Sequence, residues 1–128
     1  MKPLVSIVIL NWNGQKYLER FLPSIMASTY PNFKLIVADN ASTDNSIEFL
    51  KNHYPSVEII QNAANYGYAK GYNEALKHVS SDYLVLLNSD VEVDPMWIEP
   101  VIELMESNAK IAACQPKILQ FANRKLFE

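Results

Sequence analysis

The stretch YLVLLNSDVEVD, residues 83–94, joins five apolar residues directly to a polar loop carrying Asp90, Glu92 and Asp94. Tyr83–Leu87 is too short for a helix and nearly continuous in apolar character, the pattern of a strand covered on both faces. Three further runs read the same way: Val5–Leu10 (VSIVIL), Lys34–Ala38 (KLIVA) and Val57–Ile60 (VEII). Between them the apolar spacing turns helical. Tyr17, Leu18, Phe21, Leu22 and Ile25 form one stripe, and Ala69, Tyr72, Leu76 and Val79 a second. Trp97, Ile98, Val101, Ile102 and Met105 form a third, and Asn45–Asn52 reads as a shorter helix. Asp94-Pro95 has the form of an N-cap followed by proline at the first helical position, and Ser42-Thr43-Asp44 offers capping oxygens before Ile47. The order is βαβαβαβα with a further strand at Ile111–Cys114. Crossovers of this length predict parallel strands in a doubly wound α/β sheet.

A chain of 128 residues holds one compact domain, and its 49% hydrophobic and 20% charged residues make disorder an unsuitable reading. The net charge is −3 and the 11 Lys and Arg residues are scattered, against the basic stripe expected of a nucleic-acid binder. The apolar runs are strand-sized, far below the roughly 20 residues that span a bilayer. Met1–Leu4 is too short for the charged and apolar regions of a signal peptide. Cys114 has no second cysteine to pair with and is expected in the core, consistent with a cytoplasmic compartment. Residues 115–128 (QPKILQFANRKLFE) begin a strand-like element with no helix or polar tail after it, so the domain is expected to be truncated.

In a parallel sheet all loops after the strands gather at one edge, where ligands bind. Four such loops are rich in polar or small residues: Asn11–Gly14, Asp39–Ser46, Asn62–Asn73 and Asn88–Asp94. Asn88 and Asp90 are two residues apart, so an extended backbone points both the same way, towards one hard cation. Mg²⁺ or Mn²⁺ takes oxygen ligands and often only one or two protein carboxylates, the rest being water and phosphate. The alternative for Asp90 is a cap, for which Asp94 is better placed. Asp39 and Asn40 stand where a carboxylate or amide meets a base or ribose, in a loop whose other polar residues cap a helix. Trp12 is placed either to stack on a base or to pack. Gly67 and Gly71, with Lys70 between them, open a helix and offer backbone N–H groups to an anion, or simply turn the chain. Neither the dinucleotide fingerprint nor the phosphate-loop pattern is present. His53 and His78 have no partner in view.

Four segments together resemble the family 2 glycosyltransferases, and within them the rhamnosyltransferase-like branch: Val5–Asn13 (VSIVILNWN), Ile36–Asp44 (IVADNASTD), Asn65–Asn73 (NYGYAKGYN) and Leu86–Glu92 (LLNSDVE). They follow the family's order and spacing and cover nearly the whole chain. The resemblance implies a GT-A fold, Rossmann-like, a three-layer α/β/α arrangement on a mostly parallel sheet. It implies inverting transfer from a nucleoside-diphosphate sugar, with UDP or dTDP as carrier and dTDP-rhamnose the favoured donor, to a glycan or lipid-linked acceptor in polysaccharide synthesis. Leu10, Trp12, Asp39 and Asn40 would line the base and ribose pocket. Asn65, Gly67, Lys70 and Asn73 would lie beside ribose and diphosphate. Asn88, Ser89 and Asp90 occupy the family's acidic motif, with Asp90 the metal ligand for Mn²⁺ or Mg²⁺; Asn88 departs from the commoner Asp-x-Asp form. The family's catalytic base lies in an acceptor-side half beyond residue 128, so these residues are expected to bind donor only. That missing half is also where contact with the membrane surface is expected, on its cytoplasmic face.

Two other classes compete. A non-catalytic nucleotide-sugar-binding or interaction module fits the missing base. A nucleotidyltransferase would carry a Gly- and Arg-rich phosphate loop after the first strand, which Asn11–Gly14 does not supply, and a nicotinamide-dependent dehydrogenase falls for the same reason. Unmet packing near Ile111–Phe121 is expected to leave an apolar patch that associates copies of the chain.

Overall fold

The computed structural model describes residues 1–127. Along the chain run β1 (Val5–Asn11), α1 (Gln15–Met26), β2 (Phe33–Asp39), α2 (Ser46–His53), β3 (Glu58–Gln61), α3 (Gly67–Leu76), β4 (Tyr83–Leu87) and α4 (Ile98–Ser107). The four strands form one parallel sheet in the order β3-β2-β1-β4. Two compact units result, residues 1–23 with 31–91, and residues 24–30 with the chain from residue 92 onward.

The sheet belongs to the first unit. β1 is its interior strand, and Val5, Ile7, Val8 and Ile9 are fully buried. Alternation divides the side chains between two faces. Val8, Ile36 and Ala38 meet Tyr72 and Ala75 of α3 on one face. Ile7, Ile9, Leu35 and Val37 point to the other and are equally buried. Right-handed crossovers put α1 and α2 on that second face, giving three layers. Leu18, Phe21 and Leu22 of α1 and Leu50 of α2 are the buried residues there.

One expectation for the sheet needs correcting. β4 is not covered on both faces: Leu84 and Leu86 are 48% and 50% exposed. They pair in register with Ser6 and Val8, so they lie on the α3 face, but α3 packs over β1 and β2. The edge strand is left half bare.

In the second unit Ile25, Tyr30, Ile98 and Ile102 are buried. The Trp97 indole N–H donates to Ser28 Oγ at 2.9 Å, and Thr29 N donates to the Pro95 carbonyl at 2.8 Å. Asp94 is not the cap of α4. Its Oδ1 accepts from Met96 N at 2.9 Å and its carbonyl from Trp97 N at 3.1 Å, forming a turn ahead of a helix that starts at Ile98. Ile111–Cys114 forms no strand, and after α4 the described residues hold only a single bridge, Leu119 to Phe127. A four-residue apolar run does not keep strand geometry without a paired neighbour. Cys114 is consequently exposed rather than in the core. Ile118, Phe121, Leu126 and Phe127 are also exposed, at 43–67%. Glu128 lies outside the described residues.

Candidate functional site: the loop rim at the carboxyl ends of the strands

The chain moves from β1 outward through β2 to β3, then returns to place β4 on the other side of β1. The direction of winding reverses there, which opens a crevice between the carboxyl ends of β1 and β4. Asn11 and Trp12 leave one side of it, and Asn88, Ser89 and Asp90 the other.

The β1 and β2 loops are held by carboxylate and amide groups. Asp39 is 1% exposed. Its Oδ1 accepts from Asn11 Nδ2 at 2.9 Å and Ser42 Oγ at 2.6 Å, and its Oδ2 from Ser42 N at 2.8 Å. A carboxylate has about four acceptor positions, so Oδ2 retains one for a further donor. Asn13, at φ 49°, reaches across to the same loop. Its Oδ1 accepts from Thr43 N at 2.7 Å and Asp44 N at 3.2 Å. Asp44 in turn accepts from Ser46 N at 3.0 Å and Gln15 N at 3.1 Å, tying the starts of α1 and α2 together. Burial works to raise the Asp44 carboxyl, but these hydrogen bonds outweigh it and hold it below the usual carboxylate range.

A second lattice fixes the β3 loop. The buried Asn40 donates through Nδ2 to the Gly67 carbonyl at 2.9 Å and to Asn65 Oδ1 at 3.3 Å. Its Oδ1 accepts from Asn62 Nδ2 at 2.8 Å, and Asn62 also reaches the Gly71 carbonyl at 3.1 Å. Gly67 sits at φ 72°, a conformation only glycine takes without strain, and its N–H donates to Asn65 Oδ1 at 3.0 Å. Both N–H groups of Asn40 are therefore engaged inside the protein, so this residue frames the loop more than it reaches outward.

Tyr72 joins the two sides of the crevice. Its hydroxyl donates to the Leu87 carbonyl at 3.0 Å and accepts from Leu10 N at 3.4 Å. Burial pushes this phenol up to about 12, so it remains a neutral donor. Tyr72→Phe keeps the packing and orphans the Leu87 carbonyl; we expect a loss of about 1–2 kcal/mol in urea unfolding. An unchanged midpoint would remove Tyr72 as a tie.

The remaining sequence-predicted residues lie along the rim. Leu10 is partly buried against α3, while Trp12 is 57% exposed, so its ring is not core packing. Asn65, Gly67, Lys70 and Asn73 are exposed, and Lys70 Nζ stands 4.5 Å from the Tyr66 ring centroid. Ser89 is half-buried; Asn88 and Asp90 are exposed. Sequence reasoning missed Asn11, Asn13 and Asn62 as fasteners, and Tyr68, whose hydroxyl donates to Asn88 Oδ1 at 3.3 Å. Asparagine at a strand end beside a loop glycine was the available signal.

Asp90 makes no hydrogen bond or ion pair among the described residues, and no three His, Cys, Asp or Glu side chains gather there to hold a metal. One free carboxylate suits a cation whose other ligands are a diphosphate and water. A hollow of about 260 Å³ lies elsewhere, lined by Gln15, Glu19, Glu48, Phe49 and His53. It offers two carboxylates and does not suit a diphosphate.

The same architecture occurs in a mannosyltransferase of Pyrobaculum calidifontis solved with GDP-Man and Mn²⁺. The TM-score is 0.75 at 19% identity, over 92% of this chain and 34% of that one. The fold is thus that of the GT-A glycosyltransferases. Residues 6–126 match the family model described as glycosyl transferase family 2, and the chain belongs to that family. An uncharacterized glycosyltransferase of Haemophilus influenzae (strain ATCC 51907 / DSM 11121 / KW20 / Rd) is 31% identical over 87% of this chain and 35% of its own length. The N-acetylglucosaminyl-diphospho-decaprenol L-rhamnosyltransferase of Mycobacterium tuberculosis (strain CDC 1551 / Oshkosh) is 25% identical over 92% of this chain and 42% of its own length. The chain spans well under half the length of these relatives.

Proposed function

We propose that this chain is the donor-binding part of an inverting glycosyltransferase that takes a sugar from UDP or dTDP, with dTDP-rhamnose the first candidate. The acceptor would be a glycan or lipid-linked saccharide at the cytoplasmic face of the membrane. No helix of the described residues is long and apolar enough to cross a bilayer. The observation that carries the reading is the crevice between β1 and β4, which brings the spare acceptor of Asp39, the exposed Trp12 and the free Asp90 to one edge of the sheet. Asp39 Oδ2 would accept from a base or ribose donor, with Leu10 and Trp12 against the base. Asn65, Gly67, Lys70 and Asn73 would line the ribose and diphosphate, and Asn88 and Ser89 the diphosphate end. Asp90 would hold the divalent cation, Mn²⁺ or Mg²⁺, which offsets charge on the departing diphosphate.

The base that takes the acceptor's proton is proposed to lie outside these 128 residues. Glu92 is paired with Arg124 and Asp94 is engaged in its turn, so neither is free for the task. That engagement also favours a second reading, a nucleotide-sugar-binding module with no chemistry. Release of free sugar from the donor by the folded chain would count against that module.

Calorimetric titration with UDP and dTDP, with and without Mn²⁺, tests the donor site. Asp90→Ala should weaken binding at least tenfold in Mn²⁺ and leave the fold unchanged by circular dichroism. Equal binding by the variant would remove Asp90 as the metal ligand.

A further inference from the structure

We propose that Asn13–Gly14 is a site of covalent self-modification, an isoaspartate-forming pair that the folded loop holds shut. The chain then ages irreversibly at this point whenever the β1 loop lifts off the β2 loop.

Asn13–Gly14 is the one Asn-Gly pair in the sequence. In such a pair the glycine nitrogen, unshielded by a side chain, gives up its proton and attacks Asn13 Cγ. An N–Cγ bond forms, the Cγ–Nδ2 bond breaks, and ammonia leaves with that proton. Water opens the resulting five-membered imide at either carbonyl, leaving aspartate or isoaspartate at position 13. The fold leaves little freedom in either residue. A Cβ on Gly14 would stand 2.4 Å from Asn11 Oδ1, a buried oxygen with no hydrogen-bond partner among the described residues. That oxygen cannot turn away, because the other end of its amide donates to Asp39 Oδ1 and Ser42 Oγ. Position 13 has φ 49°, a left-handed conformation that asparagine tolerates better than most residues. Packing thus demands the labile pair at the turn between β1 and α1.

The same contacts keep the pair from reacting. In the left-handed region ψ is positive as well, roughly +30 to +60°, which turns the following nitrogen away from the side chain it must attack. Asn13 Oδ1 is pinned by Thr43 N at 2.7 Å and Asp44 N at 3.2 Å, and Asn13 N donates to Ser42 Oγ at 2.9 Å. Ring closure requires these bonds to let go, so the population of a locally open state sets the rate. Asn13 is exposed, so water is at hand to open the imide. Isoaspartate carries the main chain through Cγ and lengthens it by one carbon. The oxygen that served Thr43 and Asp44 becomes a backbone carbonyl, and the loop cannot return to its seat.

The test is peptide mapping of the whole chain during warm incubation, scoring the mass gain of deamidation and isoaspartate by enzymatic methylation, with amide hydrogen exchange at Thr43 and Asp44 measured alongside. In guanidinium chloride, position 13 should convert before Asn45 or Asn88. In the native chain it should convert at least about tenfold more slowly, the effect of a loop that is open a tenth of the time or less. Ser42→Ala removes the acceptor of Asn13 N and should speed native conversion by about threefold, with exchange at Thr43 and Asp44 rising by the same factor. In denaturant the variant and wild type should be equal. If Ser42→Ala does not fold, wild type in urea below its unfolding transition gives the same comparison. Native conversion as fast as in denaturant would overturn the gating. So would faster exchange without faster conversion, and a position 13 that stays intact in denaturant would remove the site itself.

Discussion

Gly71→Ala should destabilise the chain by about 2 kcal/mol, although alanine is the better helix former by about 1 kcal/mol. The added Cβ would stand 2.7 Å from Asn40 Nδ2, 2.9 Å from Asn40 Oδ1 and 3.0 Å from Leu10 Cδ1. None of these neighbours is free to retreat. Asn40 is held by Asn62, Asn65 and Gly67, and Leu10 packs against the core. Forcing a methyl into such a place costs about 1–3 kcal/mol, and displacing the amide leaves buried donors unmet at a similar cost. Together these outweigh the gain in helix propensity. Gly67→Ala is the control: nothing lies within 4 Å of its Cβ, so only the φ of 72° penalises it, by roughly 1 kcal/mol. Urea denaturation of both variants separates the effects. A Gly71→Ala chain as stable as wild type would mean that α3 yields and the lattice is soft.

Asp39→Asn should cost about 3 kcal/mol and abolish measurable UDP or dTDP binding. The substitution keeps shape and removes one acceptor oxygen. Both carboxylate oxygens already accept, from Asn11 Nδ2 and Ser42 Oγ on one side and Ser42 N on the other. Whichever way the new amide turns, its N–H₂ meets a donor in a site only 1% exposed. Hydrogen bonds to a charged group contribute about 1.5–3 kcal/mol each, and the opposed donor adds its desolvation. Ser42→Ala removes only the Oγ bond of the three, keeps the backbone N–H bond and the charge, and so should cost less, about 1–2 kcal/mol. Equal unfolding midpoints for wild type and Asp39→Asn would show that the loop rearranges around the amide. Normal nucleotide binding by that variant would place the ligand's contact elsewhere.

The sheet was legible because apolar continuity is a property of the chain itself. Residues 5–10, 34–38 and 83–87 were read as strands and lie within β1, β2 and β4. The parallel order followed from crossover length, and the gathering of four loops followed from the parallel order. What failed has a common cause, the dependence of a local pattern on partners it does not name. Leu84 and Leu86 look as buried in sequence as Val8 and Ile9, yet β4 pairs with β1 alone and its α3-side face is left exposed. Ile111–Cys114 has the composition of a strand and no ladder to join. Asp94-Pro95 has the letters of a cap but serves a turn. At the rim, sequence located the loops but not the bonds within them. Asn11, Asn13 and Asn62 act through contacts between loops far apart in the chain, and no spacing rule reports those.

The strand order also dictates a sequence of events in time. β1 meets β2 across 28 positions, Val5 to Phe33, and β2 meets β3 across 22, Ile36 to Glu58. β1 meets β4 across 78, Val5 to Tyr83. Long closures are entropically dearer and slower to find than short ones. A nascent or refolding chain should therefore assemble the three-strand piece with the Asp39 loop before β4 arrives. Until then the Tyr72 hydroxyl has no Leu87 carbonyl to meet and Asn88 and Asp90 have no fixed place. The last step of folding is also the step that completes the crevice, so hydrogen exchange at Val85 and Leu87, whose N–H groups face β1 as that of Tyr83 does, should report how often a finished molecule reopens it.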